Sequence, residues 1–98
     1  MKTIQGGYVY IISNKYRTVF YVGFAIDIKK RTWEHKTSKK GFTYKYNCNQ
    51  LLYYQSYHDM DEALGVETKM KRWRNQWKIN IIKQFNPEMI DLSDGWYK

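Results

Sequence analysis

Apolar residues along the chain fall into short blocks, and each block predicts an element. Tyr8-Val9-Tyr10-Ile11-Ile12 is β-branched and aromatic and predicts a first strand. Ser13 to Thr18 is polar and turn-like, and Val19-Phe20-Tyr21-Val22-Gly23 predicts a second strand, antiparallel to the first. If Ile12 pairs with Val19, Tyr10 and Tyr21 become direct cross-strand neighbours, with Cβ atoms about 5 Å apart. Asp27 can cap a helix over roughly Ile28 to Thr37, whose basic first turn opposes the helix dipole. Lys39 to Asn49 is polar, basic and aromatic, a long loop with room for one helical turn. Gln50 to Tyr57 predicts a third strand. Asp59 and Glu62 have capping-box spacing, and Ala63, Val66, Met70, Trp73 and Trp77 then follow in helical steps of three and four. This places both tryptophans in the core. Around Asn75 the pattern breaks into a second helix, Gln76 to Gln84, which Asn86-Pro87 stops. Met89, Ile90, Leu92 and Trp96 are expected to pack an irregular tail. The expected fold is α/β (α+β): a small three-stranded antiparallel sheet flanked by helices, in the order β-β-α-β-α-α.

Composition narrows the class. Ninety-eight residues make one domain, residues 1–98, and an 18% aromatic content excludes a disordered chain. No apolar run approaches a membrane span, and Met1 to Gly7 does not resemble a signal peptide. Cys48 is the single cysteine, which excludes a disulfide framework and an all-cysteine metal site. A cytoplasmic setting is expected. The net charge of +8 points to an anionic partner, with nucleic acid the natural one. Basic residues cluster at Lys29-Lys30-Arg31, between Lys36 and Lys45, and from Lys69 to Arg74, with Trp33, Phe42, Tyr44, Tyr46, Trp73 and Trp77 among them. Such aromatic side chains can stack on bases.

Neither a glycine-rich phosphate loop nor a Ser-His-Asp spacing is present. What stands out is Tyr21-Val22-Gly23 at the end of the second strand, with Arg31 eight residues after the glycine. Arg31 and His35 share a helix face. A tyrosine, an arginine and a histidine can therefore converge at one end of the sheet, and the arginine offers a fixed fork for phosphate.

These residues resemble the GIY-YIG nuclease superfamily. Its first signature corresponds to Tyr8-Val9-Tyr10, with Tyr8 where the family name has glycine, and its second to Tyr21-Val22-Gly23. The Lys29-Lys30-Arg31 run, the Glu34-His35 pair and the stretch Glu62 to Glu67 follow in order, so the resemblance runs from about Gly7 to Pro87. It is strongest to the small stand-alone members near the excision-repair and structure-specific branches. It implies a metal-dependent endonuclease that hydrolyses DNA phosphodiesters, structure-selective or weakly sequence-specific, in DNA repair or recombination. RNA is not excluded as a substrate, and a protein partner can supply specificity.

The resemblance also implies roles. Tyr21 activates water, and Tyr10 supports it or shares the task. Arg31 binds the scissile phosphate, and His35 hydrogen-bonds that phosphate or relays a proton. Glu67 is the lone protein ligand of one Mg²⁺ or Mn²⁺, which takes its other ligands from water and phosphate. Gly23 gives the phosphate room beside the strand. Lys29, Lys30, Lys36, Lys45 and Lys71 are the nucleic-acid-binding candidates. A bracing asparagine has two candidates, Asn80 and Asn86. Two other classes stay open: a non-catalytic nucleic-acid-binding module of the same fold, and an interaction subunit whose basic face docks an acidic protein.

Overall fold

The structure, a computed structural model, describes residues 6–98; most of the N-terminal segment read as lacking a signal peptide lies outside the described residues. Three strands, β1 (Gly7–Ser13), β2 (Phe20–Ala25) and β3 (Gln50–Tyr57), form an antiparallel sheet in the order β2-β1-β3. Among the described residues, four helices flank it: α1 (Ile28–Thr37), the single turn α2 (Phe42–Lys45), α3 (Met60–Lys71) and α4 (Asn75–Phe85). The expected α/β class and element order are those of the structure, with α2 as the helical turn inside the long loop.

β1 is central and covered on both faces, which is why its sequence is a nearly continuous apolar run. Val9 and Ile11 point to one face, where Phe20, Val22, Leu52, Tyr53, Ala63, Met70 and Ile82 complete a core under α3 and α4. Tyr10 and Ile12 point to the other, where they meet Ala25, Ile28, Cys48 and Leu51, and where Leu92 and Trp96 of the tail pack. A bulge interrupts the β1–β3 pairing between Ile11 and Ile12.

The hairpin register differs from the expected one. Ile12 faces Tyr21, not Val19, and Tyr10 faces Gly23. The cause lies in the loop. The Asn14 side-chain oxygen accepts the N–H groups of Thr18 (2.9 Å) and Val19 (3.0 Å), while Arg17 takes a left-handed conformation at φ 59°. Val19 is thereby drawn into the turn. A shift of two residues conserves the faces, so Tyr10 and Tyr21 stay on one side as diagonal neighbours, with ring centroids 6.5 Å apart.

Two further expectations are corrected. Arg74 caps the start of α4, so Trp77 falls in the first turn of a new helix. There it is 54% exposed, packed edge-on against Trp73, which keeps its contact with the core. Ile90 is also exposed, whereas Met89, Leu92 and Trp96 pack as expected.

α1 buries only Ile28 and Thr32. With so little apolar contact it is held by hydrogen bonds as well. Asp27 caps it through the Lys30 N–H (3.0 Å), the Tyr97 hydroxyl donates to the Lys29 carbonyl (2.7 Å), and Lys36 reaches the Asp91 carboxylate (2.8 Å). Asp91 also accepts the Leu51 N–H (3.1 Å) and the Ser93 hydroxyl (2.7 Å). Burial raises the Asp91 carboxyl, but Lys36, Ser93 and Leu51 outweigh it and hold the group below its ordinary value. The tail is therefore a strap that ties α1 to β3.

Candidate active site

The face of the sheet under α1 carries the chemistry-bearing side chains. Tyr10, on the central strand, is 1% exposed. Its ring runs across β2 at Gly23, where a side chain would collide with it: a Cβ there would lie 2.3 Å from the hydroxyl. The room that Gly23 provides on this face is therefore taken by Tyr10, not left free for a phosphate. Burial pushes the Tyr10 phenol up to about 12, even though the Arg31 guanidinium alongside pulls it down.

The Tyr10 hydroxyl is 2.7 Å from His35 Nε2, and His35 Nδ1 is 3.0 Å from the Thr43 hydroxyl. Burial, reinforced by the Arg31 charge, lowers the His35 imidazole to about 4. It is thus neutral at pH 7, with one nitrogen donating and the other accepting. Both nitrogens have partners inside the protein, so His35 is arranged as a link in a chain. Thr43 carried no sequence signal for this role. It lies eight residues from His35, and only the return of the loop through α2 brings the two together.

Tyr21 is half-buried. Its ring meets His35 edge-on at 5.7 Å and Phe42 at 5.7 Å. Arg31 is also half-buried, oriented by the Phe24 carbonyl, which its Nη1 reaches at 3.0 Å, and by Glu34, 3.1 Å from its Nε. Hydrogen bonding and charge from Tyr10 and Glu34 hold the guanidinium above its ordinary value against the opposing effect of burial. Arg31 and Glu34 also line a groove of about 260 Å³ with Phe24 to Asp27 and Lys30.

Glu67 comes from the other side. α3 packs Ala63 and Met70 into the core beneath the opposite face. Glu67 flanks that stripe, half-buried, and its carboxylate is 2.9 Å from Lys71 Nζ. The Glu67 charge contributes to raising the Tyr10 phenol, and Tyr21 contributes to raising the Lys71 ammonium after the Glu67 hydrogen bond. The Glu67–Lys71 pair thus lies within electrostatic reach of both tyrosines.

Of the proposed DNA-contacting lysines, Lys29, Lys30 and Lys45 are exposed. Lys36 is engaged by Asp91 and the Asn49 carbonyl, and Lys71 by Glu67. Asn80 is exposed and bonds Gln76. Asn86 is buried; its amide donates to Leu52 and Ile90 carbonyls, which braces the tail against β3.

Residues 6–80 match the family model of the GIY-YIG catalytic domain. The chain belongs to the GIY-YIG family. It is similar to a UPF0213 protein of Syntrophus aciditrophicus, 31% identical over 85 residues, which span 85% of this chain and 95% of that one. A UPF0213 protein of Streptococcus agalactiae serotype V is 30% identical over 82 residues, 83% of this chain and 92% of its own length. Another, from Pediococcus acidilactici, is 29% identical over 83 residues, with 81% and 83% covered. No solved structure matches. Membership of the GIY-YIG family implies a nuclease domain with nucleic acid as its substrate. Among the described residues, no helix is long and apolar enough to cross a membrane.

Proposed function

We propose that residues 1–98 act as a single endonuclease domain that hydrolyses phosphodiester bonds in DNA in the cytoplasm, in repair or recombination, and selects its substrate by shape. The observation that supports this most is the grouping of Tyr10, Tyr21, Arg31 and His35 on one sheet face, with Glu67 in electrostatic reach. Tyr21 is the water-activating residue of the two tyrosines, because it is half-exposed while Tyr10 is sealed and pushed up to about 12. In its ionised form the Tyr21 oxygen takes a proton from water, and the water oxygen bonds to phosphorus. The bond to the leaving sugar oxygen breaks, and that oxygen collects a proton from solvent. Arg31, already oriented by Phe24 and Glu34, neutralises charge that develops on the phosphoryl oxygens. Tyr10, His35 and Thr43 hold the wall of the site.

Among the described residues, no three His, Cys, Asp or Glu side chains gather to hold a metal. A half-buried lone carboxylate nonetheless suits Mg²⁺ or Mn²⁺, which retain waters and use phosphate oxygens as ligands. Glu67 would hold that ion, and when bound the ion would stabilise the leaving oxygen.

Cleavage of labelled duplex, single-stranded and branched DNA tests the proposal. With Mg²⁺, Tyr21→Phe should cut about 10² to 10⁴ times more slowly, with unchanged DNA affinity. Glu67→Gln should abolish cutting and keep binding. Parental rates in both variants would overturn the assignment. One contact favours a non-catalytic binding module: Lys71 already neutralises Glu67 at 2.9 Å. That alternative expects salt-sensitive DNA binding and no cleavage with any metal.

A further inference from the structure

The proposed chemistry leaves unused a run of aromatic rings that starts beside Tyr21. Phe42 lies 5.7 Å from the Tyr21 ring, and Tyr46 lies 4.7 Å from Phe42. α2 turns Thr43 inward, yet Phe42 and Tyr46 remain 49% and 40% exposed. Beyond Tyr46 is a groove of about 290 Å³, with Tyr16, 77% exposed, on its other wall and Asn14, Asn47 and Asn49 along it. Lysines accompany both outer rings: Lys15 Nζ is 5.8 Å from the centroid of Tyr16, and Lys45 Nζ is 5.4 Å from that of Tyr46. The charge of the chain is concentrated in the same half. Residues 1–58 contain ten of the seventeen Lys and Arg but only two of the nine Asp and Glu, whereas the remaining residues balance at seven each.

We propose that Phe42, Tyr46 and Tyr16 form a stacking track for unpaired bases, so that the substrate is DNA with a single-stranded segment leading into the cut site at Tyr21. The proposal rests on Tyr21 as the water-activating residue. A duplex hides its base faces and gives these rings nothing to stack on, whereas every unpaired base has a face to offer. Lys15 and Lys45 are placed for the phosphates between such bases. Asn14 is held by the hairpin loop through Thr18 and Val19, but the amides of Asn47 and Asn49 both donate and accept, so they can meet the edges of different bases without imposing a sequence. An acidic protein would find the lysines but would have no general use for a row of exposed aromatic rings.

Anisotropy titrations of a short labelled oligothymidylate and of a duplex of equal length, both in chelator so that nothing is cut, test the track. The parent should prefer the single strand. Tyr16→Ala and Tyr46→Ala should each weaken it by roughly tenfold and leave duplex binding unchanged. Lys45→Ala should weaken both ligands and lower the salt dependence by about one unit of slope. Parental single-strand affinity in both tyrosine variants, or tighter binding of the duplex by the parent, would overturn the track. Competition by polyglutamate as effective as that of oligothymidylate would assign the strip to an acidic protein and also overturn it. Binding is read here without cleavage, so these failures leave the nuclease proposal standing. A parent that binds oligothymidylate through these tyrosines yet cuts nothing with Mg²⁺ or Mn²⁺ overturns the nuclease and leaves the track as a binding surface only.

Discussion

The two faces of the sheet differ in what they ask of their side chains. Under α3 and α4 the core is mainly aliphatic, and its members need only fit: Val9, Ile11, Val22, Leu52, Met70 and Ile82 close over one another. Under α1 the buried residues include a phenol, and an imidazole and a threonine hydroxyl are bonded to it in series. A carboxylate that accepts four hydrogen bonds, from Lys36, Leu51 and Ser93, anchors the tail there. Apolar packing is tolerant of shape at constant volume, while a buried polar chain fails when one link is lost. The first face can therefore carry most of the folding free energy, which leaves the second free to hold groups whose placement is set by chemistry.

Ile82→Ala should open a cavity on the aliphatic face and cost about 2–5 kcal/mol, measured by urea denaturation. The folded fraction should retain parental DNA affinity, since Ile82 belongs to the core under α3 and α4 and Tyr10 and Tyr21 to the other face. A loss of affinity greater than the loss of folded protein would show that the faces are not independent. Gly23→Ala attacks the other face. The new methyl must displace the Tyr10 ring, so stability should fall by about 1–3 kcal/mol, and cleavage should fall further than folding does. Pairing it with Tyr10→Phe sharpens the test: removal of the hydroxyl, the nearest clashing atom, should recover part of the stability.

The third prediction uses pH. Free histidine titrates near 6.5, and His35 is lowered to about 4. Between these values the unfolded chain binds a proton that the folded chain refuses. The contribution of His35 is therefore complete above about pH 6.5 and is lost as pH falls toward 4. His35→Gln should flatten the dependence of the urea midpoint on pH across that window; an unchanged slope would place the burial of His35 in doubt. Glu34→Gln should have the smallest effect, well under ~1 kcal/mol, because its pair with Arg31 is on the surface.

The elements were legible in the chain because each has its own signal: β-branched blocks for β1 and β2, Asp27 and Asp59 as helix caps, and Asn86-Pro87 as a stop. The two strand motifs and the spaced Arg31 and Glu67 were enough to nominate a set of residues, and Tyr10, Tyr21, Arg31 and His35 of that set lie together on one side of the sheet. Contacts fixed by side chains of irregular segments were not. Asn14 moved the hairpin register by gathering two backbone donors, which no hydrophobic pattern records. Trp77 continued the helical period of α3 across a break, so its exposure follows from the three-residue turn and not from the spacing. Lys36 read as one more cation on a basic helix, because Asp91, its partner, is 55 residues away in the chain.

Tyr10 lying over Gly23 also bears on how this chain can change over generations. The last residue of the first strand motif and the last of the second are one interlocked object, a ring and the gap that admits it. A methyl at position 23 has to push the Tyr10 ring aside, and a smaller residue at position 10 leaves the gap unfilled. A change at either position therefore carries a cost that a matching change at the other can offset. Two short motifs that look like independent marks in the sequence are thus one mechanical part.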